Sequence, residues 1–475
     1  MVAVLSVDIC VIGAGSGGLS VAAGASQMGA EVVLVERGEL GGDCLNTGCV
    51  PSKALLASGH ATRQIEETRR LGTDVADAKV DAPRVRAHVR GAIAAIAPND
   101  SAERYEGLGV TVIRDHARFT GPGTITAGGR TIAARRFVIA TGAGPMVPPI
   151  PGLDQVPYLT NETVFDLGPI PEHLIVIGGG PIGMELADAH RGLGSEVTVL
   201  EMGAILPHDD PELVDGVRRT LRGRGMDVRE GARVERVAPS ASGVSVFFAD
   251  GDGVSEISGT HLLVATGRKP TTDGLDLEKA GVAYDETGIT VDRRLRTTNK
   301  KIFAIGDVIG GPQFTHVAGY HAGIVIKNAL FRLPAKVDHS AVPRVTYTDP
   351  ELAQVGLTEA EAKAAHGADM RVLRWPFAEN DRAVAEGRTG GMIKVITTRK
   401  GRILGAGIVG AGAGDLIQPW ILALGQKMKI GAMASMIAPY PTRGEISKRV
   451  AGSFFTPALF GERTRKIVRF LARFG

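Results

Sequence analysis

At 475 residues the chain is too long for a single core, and three domains is the natural expectation. Its 44% hydrophobic and 22% charged residues describe an ordinary soluble protein, and a net charge of +3 supplies no global field for nucleic acid. Three cysteines exclude a disulfide framework and suit one working pair in a reducing cytosol.

The start, Met1-Val2-Ala3, has no basic segment and its apolar run reads into a strand, so export is not expected. No uninterrupted apolar run reaches the length of a membrane span. Val7–Ile12 is a short apolar strand running into Gly13-Ala14-Gly15-Ser16-Gly17-Gly18. A helical stretch follows to about Gly29, then a second strand, Glu31–Val35, which ends at Glu36. Strand, glycines, helix, strand and acid stand in the order that a dinucleotide site requires. Gly13 permits the tight turn, Gly15 lets backbone approach a pyrophosphate, Gly18 lets helix pack on strand, and Glu36 can accept from ribose hydroxyls. Cys10 lies inside the first strand and reads as a buried small hydrophobe.

Next comes Gly41–Lys53, G-G-D-C-L-N-T-G-C-V-P-S-K. A disulfide between Cys44 and Cys49 would close a very small ring at the start of a helix through Lys53, where unpaired backbone N–H groups favour a thiolate. So short a loop stabilises little through chain entropy, which argues for a bond made to be opened over a structural staple. The run Gln64–Arg70 reads as a solvated helix face, and residues 75–105 as alanine-rich helix. Short strands are expected within Gly109–Thr126 and over Arg130–Ile139, ending in Ala140-Thr141-Gly142. Five prolines within Pro145–Pro157 mark a boundary.

Then the pattern repeats. Leu174–Ile177 leads to Gly178-Gly179-Gly180-Pro181-Ile182-Gly183, a helix, the strand Glu196–Leu200 and Glu201. Gly13, Gly15, Gly18 and Glu36 recur at one constant offset as Gly178, Gly180, Gly183 and Glu201. A shared offset at four positions predicts two successive nucleotide-binding domains of like build. A second Ala265-Thr266-Gly267 follows an apolar strand and continues into Arg268. Two adjacent dinucleotide sites predict two redox cofactors, and so an electron-transfer enzyme. Glu201 suits a free ribose 2′-hydroxyl, as in NAD. Against a 2′-phosphate, unit charges about 4 Å apart repel by about 4 kcal/mol at an intermediate dielectric. Halved by screening, that is still some tens-fold in favour of NADH, and no arginine follows in Glu201-Met202-Gly203-Ala204.

G-G-x-C-L-N-x-G-C-x-P-S-K resembles the active-site signature of the FAD-dependent pyridine nucleotide–disulfide oxidoreductases, among them lipoamide dehydrogenase, glutathione reductase and mercuric reductase. Asp43 stands where many members carry threonine. Ile302-Phe303-Ala304-Ile305-Gly306-Asp307 resembles the family's third FAD segment, and Val345–Gly356 the opening of its dimerisation domain. The resemblance spans roughly residues 5–455. It implies an α/β fold: two Rossmann-like domains, for FAD and NAD, plus an α+β C-terminal dimerisation domain. The segments expected are 1–150 (FAD), 151–271 (NAD(P)), 272–342 (FAD, second part), 343–461 (dimerisation) and 462–475 (basic tail).

The resemblance also implies roles. Cys49 would be the thiol facing the flavin and Cys44 the one attacking substrate, with Lys53 and Glu185 a pair near the flavin's reactive edge. Gly41, Gly42, Lys53, Ala117, Thr141, Gly142, Gly267, Arg268, Asp307 and Thr315 complete the implied cofactor contacts. No resident metal is expected. Family members that exchange disulfides carry H-P-T-x-x-E near the C-terminus, whose histidine, held by the glutamate, shuttles the thiol proton. Here Tyr440 stands in the histidine's place and Glu445 remains. Mercuric reductases also have tyrosine there, but carry a C-terminal cysteine pair that this chain lacks. The expected protein is a cytoplasmic homodimer reducing a disulfide, metal ion or other small acceptor. Lipoamide dehydrogenase is the alternative, and a redox-sensing or partner-binding flavoprotein the alternative of another class. In Glu462–Gly475, Ile467, Phe470, Leu471 and Phe474 recur at helical spacing among five basic residues. That pattern fits a helix on a membrane surface, or one docked on its own domain.

Overall fold

The apolar run near the start folds as strand β1 (Val4–Ile12), and its side chains alternate between two covered faces. Ile9 and Val11 enter one apolar cluster with Leu34, Val138 and residues of the helices α1 (Ser16–Gln27) and Thr315–Ala329. Cys10 and Ile12 enter the other, with Val33, Phe137 and Ile139. A strand covered on both faces needs no polar alternation, which explains the continuous apolar run. The computed structural model describes residues 4–76, 79–251 and 253–474. They divide into two units. One holds the chain up to Gly178, with Gly192–Ser195 and Val234–Asp338; the other holds Gly179–Arg191, Glu196–Arg233 and the chain from His339 onward.

In the first unit, the strands β2 (Val32–Glu36), β3 (Val110–Arg114), β4 (Arg118–Gly121), β5 (Thr124–Ala127) and β6 (Arg130–Ile139) join β1 in the order β3-β2-β1-β6-β5-β4. Ile302–Ala304 adds a seventh strand beside β6. β1 runs parallel to β2 and β6, with Ile12 level with Val35 and Ile139. The glycine loop, the acid and the first A-T-G therefore emerge at one edge of the sheet, where ligands bind in such folds. His173–Ile177 pairs in parallel with His261–Val264, which brings the second A-T-G beside the second glycine loop's start.

The signature segment forms the short helix α2 (Gly42–Asn46) and the long α3 (Cys49–Arg70). Of the stretch expected to be helical over 75–105, α4 (Ala82–Ile96) and α5 (Ala102–Gly107) are helix, 75–76 and 79–81 are not, and residues 77 and 78 lie outside the described residues. Pro98, lacking an N–H, sits in the tight turn between them, and Asp81 and Ser101 cap the two N-termini by accepting from Arg84 N and Arg104 N.

In the second unit, Glu196–Glu201 pairs in parallel with Asp227–Glu230. From Pro343 the chain builds a five-stranded antiparallel sheet. Its strands pack Val355, Ile393, Val395 and Ile408 against Trp420, Ile446 and Val450. Trp420 is fully buried and its indole N–H donates to Ser447 Oγ at 3.0 Å. Among the described residues no helix is long and apolar enough to cross a membrane.

Candidate active site

The two glycine loops are built by one device. Ala140 N donates to Ile12 O, and Ala265 N to Ile177 O, both at 2.8 Å. The carbonyl of each of those alanines then abuts the first glycine. A Cβ on Gly13 would lie 2.4 Å from Ala140 O, and one on Gly178 would lie 2.3 Å from Ala265 O. Each A-T-G strand end and its first glycine are thus one contact. The acids repeat as well. Glu36 accepts from Ala14 N at 2.6 Å and Gly38 N at 2.7 Å; Glu201 accepts from Gly179 N and Gly203 N, each at 2.7 Å. Each carboxylate fixes its own glycine loop and keeps lone pairs for a ribose.

The remaining glycines separate protein reasons from ligand reasons. A Cβ on Gly18 would lie 1.9 Å from Gly13 O, so close helix–strand packing requires glycine there. Gly15 and Gly180 are different: a Cβ on either would meet nothing within 4 Å. Gly15 also has an ordinary extended backbone and opens α1 with no side-chain cap. Its smallness serves what approaches the helix N-terminus, where free N–H groups suit phosphate. Gly42 borders the same place, at φ +59°, where a Cβ would lie 2.8 Å from Gly15 Cα, and Gly41 N donates to Ala14 O at 2.9 Å. These residues fit a dinucleotide pyrophosphate.

One prediction follows from the contrast. Gly18→Ala should cost about 3 kcal/mol of stability through a backbone clash. Gly15→Ala should cost less than about 1 kcal/mol and instead weaken cofactor retention. Denaturation midpoints of the apoprotein and flavin content after gel filtration would check this; equal stability losses in both variants would contradict it.

The signature cysteines Cys44 and Cys49 stand as free thiols. Cys44 is half-buried on α2, and Cys49 is exposed as the first residue of α3. Gly48 between them is constrained: a Cβ there would lie 2.8 Å from Asp43 O. Asn46 Nδ2 donates to Leu40 O and Gly42 O at 3.1 and 2.9 Å, bracing the loop. The two sulfurs are electrostatically unequal. A hydrogen bond from the Cys44 thiol holds the Cys49 thiol down to about 6 against the cost of burial. Thr315 and the Lys53 charge help, and the Asp43 charge opposes. The same hydrogen bond, burial and the Cys49 charge push Cys44 up. The thiolate therefore rests on Cys49. Cys10 is fully buried with its thiol pushed up by burial, as a core residue should be.

Thr315, implied as a cofactor contact, lies with its hydroxyl 3.4 Å from Cys49 Sγ at the start of its helix. Asp43 has three partners that the sequence did not reveal. It accepts from Thr47 Oγ1 at 2.8 Å and Asn161 Nδ2 at 3.0 Å, and pairs with Arg268 Nη1 at 3.1 Å. Arg268 also sits 3.5 Å from Asp307, whose carboxyl is raised by burial and held back by that guanidinium. The Arg268 atom nearest Asp307 is its buried Nε, which pairs with that carboxylate by charge without a well-formed hydrogen bond. Thr141 Oγ1 donates to Thr271 O at 2.7 Å, and Gly142 O accepts from Thr271 N at 2.9 Å. Gly267 takes φ +152°, and Arg268–Pro270 pairs with Ala143–Pro145, so the chain after each A-T-G pairs with the other. Ala117 packs in the core beside Phe119 and Ile125, leaving only backbone to offer a cofactor.

Lys53 lies on α3 in the first unit. In the second, Glu185 is buried and accepts from Tyr347 N at 3.0 Å. Glu445 begins its helix there, beside Trp375, Lys448 and Arg449. Tyr440 is 69% exposed and donates its hydroxyl to Asp381 Oδ2 at 3.0 Å; that hydrogen bond and charge push the phenol's pKa up. Among the described residues no cluster of three or more His, Cys, Asp or Glu could hold a metal ion.

Residues 7–322 match the pyridine nucleotide-disulphide oxidoreductase family, and residues 342–451 match that family's dimerisation domain. Mercuric reductase from Lysinibacillus sphaericus is 37% identical over 453 residues, covering 94% of this chain and 82% of the relative. Dihydrolipoyl dehydrogenase from Bacillus subtilis (strain 168) is 35% identical over 456 residues, covering 94% and 96%. Among solved structures, a Cu(II) complex of the HOCl-induced flavoprotein disulfide reductase RclA from Escherichia coli gives a TM-score of 0.84 at 29% identity. It covers 94% of this chain and 99% of that one. Duplicated glycine loops, a paired-cysteine signature and these matches have one meaning: the chain belongs to the pyridine nucleotide-disulphide oxidoreductases.

Proposed function

We propose that the protein is a homodimeric, cytoplasmic enzyme that oxidises NADH and delivers the electron pair, through FAD and the Cys44/Cys49 pair, to a soft metal ion or similar small acceptor. Its tail would add a weak peripheral contact with a membrane surface. The five sequence segments given above remain the proposed domains. The observation that carries the choice of acceptor is Tyr440, whose single proton is engaged by Asp381 and held there. Such a group does not shuttle protons for a leaving thiol at neutral pH. A soft metal asks less, because the metal itself keeps thiolates deprotonated. Bound FAD supplies the two-electron relay between nicotinamide and thiols.

In this reading the protein's residues divide the work. The loop with Gly13, Gly15 and Gly18 admits the FAD pyrophosphate, with Glu36 on the ribose, and Gly178, Gly180, Gly183 and Glu201 do the same for the nicotinamide cofactor. Cys49 holds the thiolate toward the flavin, with Thr315 and Lys53 favouring the charge. Cys44 attacks the acceptor. Lys53 and Glu185 serve at the flavin's reactive edge, Asp307 and Arg268 on the ribityl side, and Glu445 beside Tyr440. The mercuric reductase relatives and the Cu(II)-bound relative support a metal acceptor. The dihydrolipoyl dehydrogenase relatives keep disulfide exchange as the second reading.

An acceptor panel under NADH, with lipoamide, glutathione disulfide, Hg(II), Cu(II) and quinones, tests the enzyme reading. Turnover with none of them would overturn it in favour of a redox-sensing subunit. On the cofactor, kcat/KM should favour NADH over NADPH by at least about tenfold from repulsion at Glu201. Glu201→Arg should narrow or invert the ratio, and equal rates with both cofactors in the unmodified enzyme would remove Glu201 from this role.

A further inference from the structure

The tail forms a helix over Glu462–Leu471, and none of its side chains is buried. Its apolar residues are half to three-quarters exposed, from Ile467 at 49% to Phe474 at 74%, with Val468, Phe470 and Leu471 between them. On a helical wheel these fall within one arc, which also takes in Arg463 of the first turn, and Arg465, Lys466, Arg469 and Arg473 fall on the opposite one. Phe474 continues the arc past the helix end, its ring edge-on to Phe470 with centroids 5.2 Å apart. Leu459 and Phe460, just upstream, are exposed as well.

Charge says what such a face meets. The tail has five cations and one acid, so it alone exceeds the net +3 of the whole chain. That acid, Glu462, stands in the first turn, where it complements the helix dipole. Among the described residues none of the five cations makes an ion pair. A helix that docks on protein buries its apolar arc and finds carboxylates for its cations; this one does neither. An interfacial helix instead sinks its apolar arc to the acyl boundary while long basic side chains reach out to headgroup phosphates.

We infer that Glu462–Leu471 lies in the plane of an anionic membrane surface, with Ile467, Phe470, Leu471 and Phe474 inserted and Arg465, Lys466, Arg469 and Arg473 on acidic headgroups. The inference rests on the membrane contact proposed above and adds the lipid class and orientation. It places two such helices on one homodimer, so each tail can bind weakly and the pair still hold.

The test is flotation of the FAD-loaded full-length protein with vesicles of phosphatidylcholine alone, or with about one third phosphatidylglycerol added. The expected result is retention on the anionic vesicles, little on the neutral ones, and release as salt rises from about 0.05 to 0.5 M. R465Q/K466Q/R469Q should weaken binding by about a hundredfold, roughly fivefold per cation. F470E/L471E should abolish it. Flavin content and NADH oxidation, measured on the same samples, should stay unchanged in both. Equal retention on both vesicles would overturn the anionic assignment and leave the membrane contact standing; retention on neither would overturn both. A chain lacking residues 462–475 that loses its dimer mass or its flavin would also overturn the inference, assigning the apolar arc to a second copy or to its own domain.

Discussion

Cys49→Ser is expected to lower acceptor reduction by about three orders of magnitude or more, the scale of losing a covalent nucleophile, while FAD content stays intact. Cys44→Ala should be equally damaging in turnover but distinguishable by titration. The hydrogen bond from Cys44 is the largest influence lowering the Cys49 pKa, to about 6. In the unmodified dithiol enzyme, Cys49 is therefore a thiolate above that pH and gains its proton below it. Its rate of alkylation by iodoacetamide should be flat above about pH 7 and fall about tenfold per pH unit well below 6, tracking the thiolate fraction. In Cys44→Ala no donor remains at this position, so the inflection should move to higher pH. An unmoved inflection would show that another group holds the thiolate. Retained turnover in either variant would remove the pair from the electron path.

Tyr440→His is the second large effect. Proton transfer by a positioned side chain is typically worth about 10²–10⁴-fold. Tyrosine's ordinary pKa of about 10 already makes it a poor base at neutral pH, and Asp381 raises it further. A histidine at this position titrates near neutrality, and Asp381 would remain to orient it, as carboxylates orient catalytic imidazoles. Lipoamide turnover should rise by about a hundredfold in Tyr440→His, with the stopped-flow rate of flavin reduction by NADH unchanged. An unaltered lipoamide rate would mean that Tyr440 only fills an interface while another group carries the proton.

Much of the fold was legible because local signals agreed with each other. The glycines and the acids repeat at one offset, an A-T-G strand end follows in each half, and the structure gives them matching hydrogen bonds at both sites. Cys10 was readable because a cysteine inside a continuous apolar strand has little choice but the core. The break at Pro98 was missed because an alanine-rich helix leads into it and helix resumes at Ala102 after a single turn. The partners of the site residues were not legible for a different reason. Tyr440 meets Asp381 across 59 residues, Asp43 meets Asn161 across 118, and Thr315 meets Cys49 across 266. No periodicity encodes contacts of that range; they exist only once the sheet edges gather their loops. Asp43 did leave a trace, as the position that departs from the family's usual threonine, but its bond to Arg268 needed the fold.

Electrons from NADH should reach a soft metal through the cysteine pair more readily than they reach a disulfide. The most direct measurement is steady-state NADH oxidation by the unmodified enzyme with thiol-buffered Hg(II) and, separately, with lipoamide. Hg(II) turnover should exceed lipoamide turnover by about a hundredfold, in line with the missing acid–base help at Tyr440. Lipoamide turnover at about the hundreds per second that efficient enzymes reach, with Hg(II) slower, would contradict it and make dihydrolipoyl dehydrogenase the better description.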